Sequence, residues 1–181
     1  MRTLKDILEK LKVDDINFDI LPSKLQKKYN LVYNSRTNCY DCNGDIDMCD
    51  DLIEDDHFIC NFGVVKGDFD CTFCENLETL KGAPKEVSGN FSCGYCNNLK
   101  SLEGAPKEVG GNFNCSQCDS LKTLEGAPEK VGGDLFCNGC INLKSLEGAP
   151  KEVGGDFWCK NCIKLKDYNI DNIKIKGTLI K

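Results

Sequence analysis

The sequence predicts a mainly β protein whose short parallel strands stack as the coils of a solenoid, and two observations support this. The first is a strict 22-residue period between Phe69 and Leu165, of the form Phe-x-Cys-x-x-Cys-x-Asn-Leu-x-Ser/Thr-Leu-x-Gly-Ala-Pro-x-x-Val-x-Gly-Asp/Asn. A fixed period of about 20 to 50 residues is typical of solenoids, whose units must stack to bury their apolar faces. The second is that no unit contains a stretch long enough for a helix. Each coil is therefore predicted to consist of short strands and turns.

Residues 1–37 are predicted to form an N-terminal helical cap. Thr3 and Asp6 resemble a capping box, and apolar residues then recur at helical spacing, which favours an amphipathic helix from about residue 3 to residue 12. A second short helix is predicted to begin at Ser23, after Pro22, and to end near Tyr29. The first coil of a solenoid exposes its core at the end, so this segment is interpreted as a lid.

The repeat solenoid is predicted to occupy residues 38–181, in three sections. Residues 38–68 form a degenerate section, in which Gly44 to Met48 match Gly67 to Cys71 at an offset of 23 residues. Ile46 and Met48 should therefore take the positions of the Phe and the first Cys. Residues 69–166 carry the regular repeats. Residues 167–181 are predicted to contain a capping strand, because apolar residues and lysines alternate there.

Within one unit, strand periodicity predicts which side chains point into the core. The Phe and the first Cys of Phe-x-Cys share one face and should point inward, while the residue between them points outward. The second Cys turns back into the core as the strand ends, and the Leu and Val residues fill the other sides. Gly-Ala-Pro and Gly-Asp/Asn supply the corners.

The segment from Gly111 to Leu121 resembles the second half of a leucine-rich repeat, with Phe113, Cys115, Cys118 and Leu121 at the apolar and Cys/Asn positions. The whole unit is similar to the irregular repeats of BspA-like bacterial proteins, and similar units occur in phage-encoded proteins. Gly110 stands where the first Leu of the motif belongs, and Val109, the preceding residue, substitutes for that Leu. The resemblance covers about residues 38 to 170. It implies a right-handed solenoid of the leucine-rich-repeat type that acts as a recognition scaffold.

The paired cysteines allow three interpretations. Cys-x-x-Cys pairs separated by 18 residues fall within the spacing of four-thiolate zinc sites. However, five equivalent pairs cannot be divided into twos, and Cys39 and Cys42 lie outside the clean register. Buried thiols that fill a narrow corner are the favoured interpretation, with zinc ligands and disulfides as the alternatives. No metal and no cofactor is therefore predicted.

The positions that vary between repeats are predicted to form a protein-binding face. They are the outward residue of Phe-x-Cys and the residues between the two cysteines, which change from polar to aromatic along the chain. Exposed aromatic side chains are typical interface anchors. The predicted partner-binding residues are Asp70, Phe73, Ser92, Tyr95, Asn114, Gln117, Phe136 and Trp158. The competing interpretation is that Phe136 has exchanged places with Leu135 in the core and that Trp158 packs beneath the C-terminal segment.

Charge is distributed unevenly along the chain. The net charge of −6 opposes direct nucleic-acid binding, which needs a basic stripe. The C-terminal end is basic, whereas the degenerate section is acidic, and this section could mimic nucleic acid or simply be a solvated surface. The acidic patch consists of Asp45, Asp47, Asp50, Asp51, Glu54, Asp55 and Asp56.

Catalytic motifs are missing. His57 is the only histidine and has no nucleophile motif around it, and the acidic segment lacks the glycine of a calcium loop. We expect a non-enzymatic scaffold that binds a protein partner, with a phage-encoded inhibitor of a host protein as one form and a zinc-binding module as the alternative. With neither a signal peptide nor a membrane span in the sequence, a cytoplasmic location is expected, and a monomer is favoured.

Overall fold

The computed structural model describes residues 21–48, 52–54 and 56–181, and it is a β-solenoid of about six turns. The predicted helix over residues 3–12, with its capping pair, lies outside the described residues. The second predicted helix is present as α1, Ser23–Lys28. The mainly β fold class with parallel stacked strands is therefore confirmed.

Seventeen strands follow α1 within the described residues, most of them two residues long. In chain order they are β1 (Leu31–Asn34), β2 (Cys39–Cys42), β3 (Ile46–Asp47), β4 (Ile53–Glu54), β5 (His57–Phe58), β6 (Phe62–Val65), β7 (Phe69–Asp70), β8 (Glu86–Val87), β9 (Phe91–Ser92), β10 (Glu108–Val109), β11 (Phe113–Asn114), β12 (Lys130–Val131), β13 (Leu135–Phe136), β14 (Glu152–Val153), β15 (Phe157–Trp158), β16 (Lys174–Ile175) and β17 (Leu179–Ile180).

These strands build two sheets that run along the solenoid. Sheet A has the order β1-β2-β6-β8-β10-β12-β14-β16, and sheet B has the order β3-β7-β9-β11-β13-β15-β17. All pairs within them are parallel except the hairpin of β1 and β2, while β4 and β5 form a separate antiparallel hairpin. The predicted C-terminal capping segment contributes two strands, because β16 extends sheet A and β17 extends sheet B.

The register of the strands confirms the alignment of the repeats. Phe113 lies opposite Phe91 on one side and Leu135 on the other, which is an offset of one repeat each way. In the degenerate section Ile46 pairs with Phe69, as the match at 23 residues predicts. The extra residue is absorbed at the irregularity between β2 and β6, where the register shifts.

The core consists of continuous columns of equivalent side chains. The Phe column (Phe69, Phe91, Phe113, Leu135 and Phe157) is fully buried, as predicted, and so are the two cysteine columns through coils one to four. Phe69, Phe91 and Phe113 stack with ring centroids 5.3 and 5.4 Å apart. Stacking therefore buries the apolar side of every coil against its neighbours.

A ladder of Asp and Asn side chains closes the Gly-Asp/Asn corner. In each coil the side-chain Oδ1 accepts a hydrogen bond from the backbone N–H at the equivalent position of the next coil, at 2.6–2.8 Å. The acceptors are Asp45, Asp68, Asn90, Asn112, Asp134 and Asp156. A Cβ added to Gly111, the residue before Asn112, would lie 2.5 Å from Oδ1 of Asn90. Glycine therefore precedes the ladder residue because any side chain would meet this oxygen.

The Gly-Ala-Pro corner needs glycine for two reasons at once. Gly126 has a φ of +87°, and a Cβ there would lie 2.4 Å from the backbone nitrogen of Glu103 in the preceding coil. A left-handed backbone costs a residue with a Cβ about 1–2 kcal/mol, and the contact with backbone atoms adds to this. We expect Gly126→Ala to lower the free energy of unfolding by about 3 kcal/mol, measured by urea denaturation.

Gly139 offers the matched control for this substitution. Its φ is also positive, at +69°, but an added Cβ would meet only the flexible end of the Gln117 side chain. Gly139→Ala should therefore show the backbone cost alone, about 1–2 kcal/mol. Equal losses for the two variants would contradict the close approach of the coils at Gly126.

Candidate protein-binding face

The outward residues of Phe-x-Cys form one column on the outer side of sheet B. Asp70, Ser92, Asn114, Phe136 and Trp158 lie opposite one another in register along β7, β9, β11, β13 and β15. All five side chains are half-buried. Leu135 is fully buried and Phe136 is not, so the interpretation in which these two residues exchange places is wrong.

The polar half of this column is held by hydrogen bonds within each coil and between neighbouring coils. Oδ1 of Asp70 accepts from the backbone N–H of Thr72 at 2.8 Å, and the Thr72 hydroxyl lies 2.8 Å from Oγ of Ser92. Asn114 Nδ2 donates to Ser92 Oγ at 3.4 Å, and Asn114 Oδ1 accepts from the N–H of Ser116 at 3.0 Å. These polar side chains are therefore partly used inside the protein, in turns within a coil and in contacts between coils.

The aromatic half of the column forms a stack at the C-terminal end. The rings of Phe136 and Trp158 lie 6.1 Å apart, and Nζ of Lys160 lies 5.4 Å from the Trp158 ring centroid. Trp158 is in register with Ile180 of β17, so the C-terminal segment lies beside it, in line with the competing interpretation. Its Nε1 is enclosed and has no hydrogen-bond partner among the described residues.

Of the aromatic side chains that the structure describes, the most exposed lie at the corner between the two cysteines. Phe73 is 65% exposed and Tyr95 is 44% exposed, and their rings stack with centroids 4.6 Å apart. We call these two residues the aromatic corner. Their backbones are left-handed, with φ of +64° and +59°. For a bulky residue this conformation is a genuine outlier, and it costs about 1–2 kcal/mol.

The same corner position is left-handed in the remaining coils, but with other side chains. Gln117, Gly139 and Asn161 follow, with φ of +59°, +69° and +60°. The end of the Gln117 side chain lies over Gly139, within contact distance of an added Cβ. Aromatic residues therefore occupy this strained position only in the two coils where their rings stack in solvent.

Sequence reasoning missed two exposed apolar residues on the adjoining position. Ile141 is 39% exposed and Ile163 is 74% exposed. The residue after the second Cys reads Glu75, Asn97, Asp119, Ile141 and Ile163 along the repeats. The change from polar to apolar in this column was the signal that could have found them.

The cysteine columns form hydrogen bonds from coil to coil. The Sγ–H of Cys96 donates to the carbonyl oxygen of Cys71 at 3.2 Å, and Cys118 donates to that of Cys93 at the same distance. None of the thirteen described cysteines forms a disulfide with another of them. Contact with Cys118 and burial raise the pKa of Cys93 well above its usual range, and Cys71, Cys115 and Cys137 behave likewise with Cys96, Cys140 and Cys162.

Zinc binding would require these thiols to ionise. Zinc is bound by thiolates, whose formation a raised pKa opposes. Cys162 differs from the others, because its hydrogen bond with Cys137 lowers its pKa. Within the described part of the chain, no group of three or more His, Cys, Asp or Glu residues has a geometry that could hold a metal ion. The arrangement that the structure shows for these thiols is packing and hydrogen bonding between coils.

The described residues of the predicted acidic patch lie in different local environments. Asp45 belongs to the corner ladder, and Asp47 is exposed and in register with Asp70. Oδ1 of Asp56 lies 2.9 Å from Nδ1 of His57, and this hydrogen bond lowers the pKa of Asp56. Glu54 is exposed on β4. Asp50, Asp51 and Asp55 lie outside the described residues.

Comparison with protein-family models, curated proteins and solved structures found no match. The resemblance to leucine-rich repeats therefore rests on the repeat motif alone. The described residues include no helix with the length and apolar character needed to cross a membrane.

Proposed function

We propose that this protein is a non-enzymatic scaffold that binds a protein partner through the variable face of its solenoid, with Phe73 and Tyr95 as the anchor. The observation that carries this proposal is the aromatic corner itself. It combines two large exposed rings, a stacked arrangement and a left-handed backbone in both residues.

Exposure and strain both favour a binding role for this corner. Clustered exposed aromatic side chains are unfavourable in water, and aromatic residues are enriched among those that dominate binding energy. Backbone strain that persists at one place points to function, since glycine or asparagine would relieve it at no cost to the core. The chain itself uses Gly139 and Asn161 at the same position, so the aromatic residues are not required by the fold.

The other predicted residues of the face support this anchor to different degrees. Gln117 continues the corner position, and Asp70, Ser92 and Asn114 provide a polar border that is already ordered by its own hydrogen bonds. A preordered border reduces the entropy lost on binding. A phage-encoded inhibitor of a host protein is one form of this proposal, and it is supported by the sequence resemblance.

The test compares three full-length chains as immobilised baits in extract from the source cells, with retained proteins quantified by mass spectrometry. Phe73→Gln/Tyr95→Gln removes the anchor and keeps a residue type that Gln117 shows to fit the corner. Lys122→Gln/Lys144→Gln changes two exposed residues elsewhere on the coils and is the matched control. We expect a protein retained by the wild type and the control and weakened about ten-fold or more by the anchor variant. Identical retention by all three chains would contradict the proposal.

A further inference from the structure

We infer that the aromatic corner takes an arginine side chain from a basic segment of the protein partner. This inference rests on the proposed function and names the chemistry of the partner at the same site. Three features carry it: the open ring surface, the carboxylates on the same and the preceding coil, and the lack of a cation within the described part of the corner.

The rings of the aromatic corner have no cation of their own in the described part of the chain. Lysine ammonium groups lie over the rings of Tyr29, Trp158 and Tyr168, at 4.8, 5.4 and 4.6 Å. Among the described residues Phe73 and Tyr95 stack only on each other, and most of the Phe73 side chain is open to solvent. A cation over an exposed aromatic ring is attracted by the ring quadrupole. The corner therefore presents a ring surface of the kind that lysines cover elsewhere in this protein, and no described lysine covers it.

Carboxylates lie on the coil that carries Phe73 and on the coil before it. Asp70 and Glu75 belong to the same coil as Phe73, and Asp47 lies beside Asp70 in register on sheet B. Like charges directly opposite each other on neighbouring strands repel. Oδ2 of Asp70 and the carboxylate of Glu75 have no partner among the described residues, and no Lys or Arg occurs between Gly67 and Leu80.

Arginine fits this combination better than lysine does. Its planar guanidinium stacks on aromatic faces while its N–H groups donate to carboxylates, whereas an ammonium is compact and more strongly hydrated. The distribution of charge along the face also predicts which end of the solenoid the basic segment of the partner binds. Lys160 and Lys164 make the C-terminal end of the same face basic, so the basic segment docks on the N-terminal coils.

The repeat provides variants that remove the charge without changing the fold. Asp70→Asn introduces the residue that stands at Asn114, whose Oδ1 makes the equivalent turn hydrogen bond. Glu75→Asn introduces the residue that stands at Asn97. Glu103→Gln/Glu125→Gln removes the same number of charges from exposed residues away from the corner and serves as the control.

The experiment follows the ring resonances of Phe73 and Tyr95 by NMR in the full chain. The ligands are three capped peptides of equal length that alternate glycine with arginine, lysine or citrulline, the neutral isostere of arginine. We expect saturable shifts with the arginine peptide, affinity about three-fold weaker or worse with lysine, and no shifts with citrulline. Asp70→Asn/Glu75→Asn should weaken arginine binding about five-fold, and the control double variant should not.

Salt provides a second readout. Raising the ionic strength from about 0.01 M to about 0.15 M shortens the screening length from about 30 Å to about 8 Å, so affinity for the arginine peptide should fall.

Equal shifts with the citrulline peptide, or equal affinity for the charge variant, would overturn the inference. If Phe73→Gln/Tyr95→Gln weakens retention of a protein from the extract but Asp70→Asn/Glu75→Asn does not, the proposed function stands and the arginine inference fails. If neither that protein nor the arginine shifts are seen, both fail.

Discussion

Raising the pH from about 8 to about 9.5 under reducing conditions is expected to destabilise the solenoid steeply, before lysine and tyrosine side chains titrate. The cause is the buried thiols of Cys71, Cys93 and Cys115. Contact with a thiol of the next coil and burial raise the pKa of each well above its usual range. Burial also raises the pKa of Cys60 to about 12.

The direction of the effect follows from which state holds the proton. Well below pH 8.5, which is about the ordinary pKa of a thiol, these thiols are protonated in both the folded and the unfolded chain. Their contribution to the free energy of unfolding is then fully present. Above it the unfolded chain loses protons that the folded chain retains, so the free energy of unfolding falls by about 1.4 kcal/mol per pH unit for each such thiol. The thiols of Cys60, Cys71, Cys93 and Cys115 together give a loss of about 5.5 kcal/mol per pH unit, measurable by urea denaturation at a series of pH values. Cys137 is left out of this sum, because the hydrogen bond that raises its pKa lowers the pKa of Cys162.

A single cysteine substitution makes this prediction specific. Cys115→Ala should lower stability at neutral pH, because it leaves a cavity in the core, and should also reduce the slope against pH by about 1.4 kcal/mol per unit. Its matched reference is the wild type over the same pH range. Stability that stays constant up to about pH 9.5, or a slope that Cys115→Ala leaves unchanged, would contradict the protonated thiol columns.

The stacking of the coils could be predicted from the sequence because each column of the repeat keeps one chemical character. Only an offset of one repeat brings Phe91 against Phe113 and Val87 against Val109. The period of the sequence therefore predicts the register of the strands directly. The irregular coil followed as well, since the Gly-Asp pair that precedes Ile46 also precedes Phe69. Turn residues were informative there because the corner ladder requires them.

The detailed character of the binding face could not be predicted in this way. Phe, Tyr and Gln carry no sequence signal for a left-handed backbone, so the strain at Phe73, Tyr95 and Gln117 is visible only in the structure. The partial cover of Trp158 depends on β17, which lies in the segment where the repeat ends. The exposure of a side chain depends on its position within the repeat and on the side chains of the neighbouring coils. The repeat pattern gives only the position within the repeat.

Phe113→Ala is expected to lower the free energy of unfolding by about 3–5 kcal/mol, the usual cost of removing a buried Phe side chain. The ring is fully buried, stacks on Phe91 with centroids 5.4 Å apart, and faces Leu135 in the next coil. The stability of a solenoid is nearly a sum of coil terms and interfaces between neighbouring coils. A cavity in this central coil weakens two interfaces at once, and urea denaturation followed by circular dichroism measures the loss.

Phe113→Leu is the control that the chain itself supplies, because Leu135 occupies the same column. It keeps an apolar side chain between Phe91 and Leu135, so we expect a loss of about 1.5 kcal/mol or less. Hydrogen exchange then locates the damage: in Phe113→Ala the protection of β9, β11 and β13 should fall more than that of β2 and β6, since coupling acts between adjacent coils. Equal losses of unfolding free energy for the two substitutions, or a uniform fall in protection along the solenoid, would contradict a Phe column that stabilises each interface between neighbouring coils.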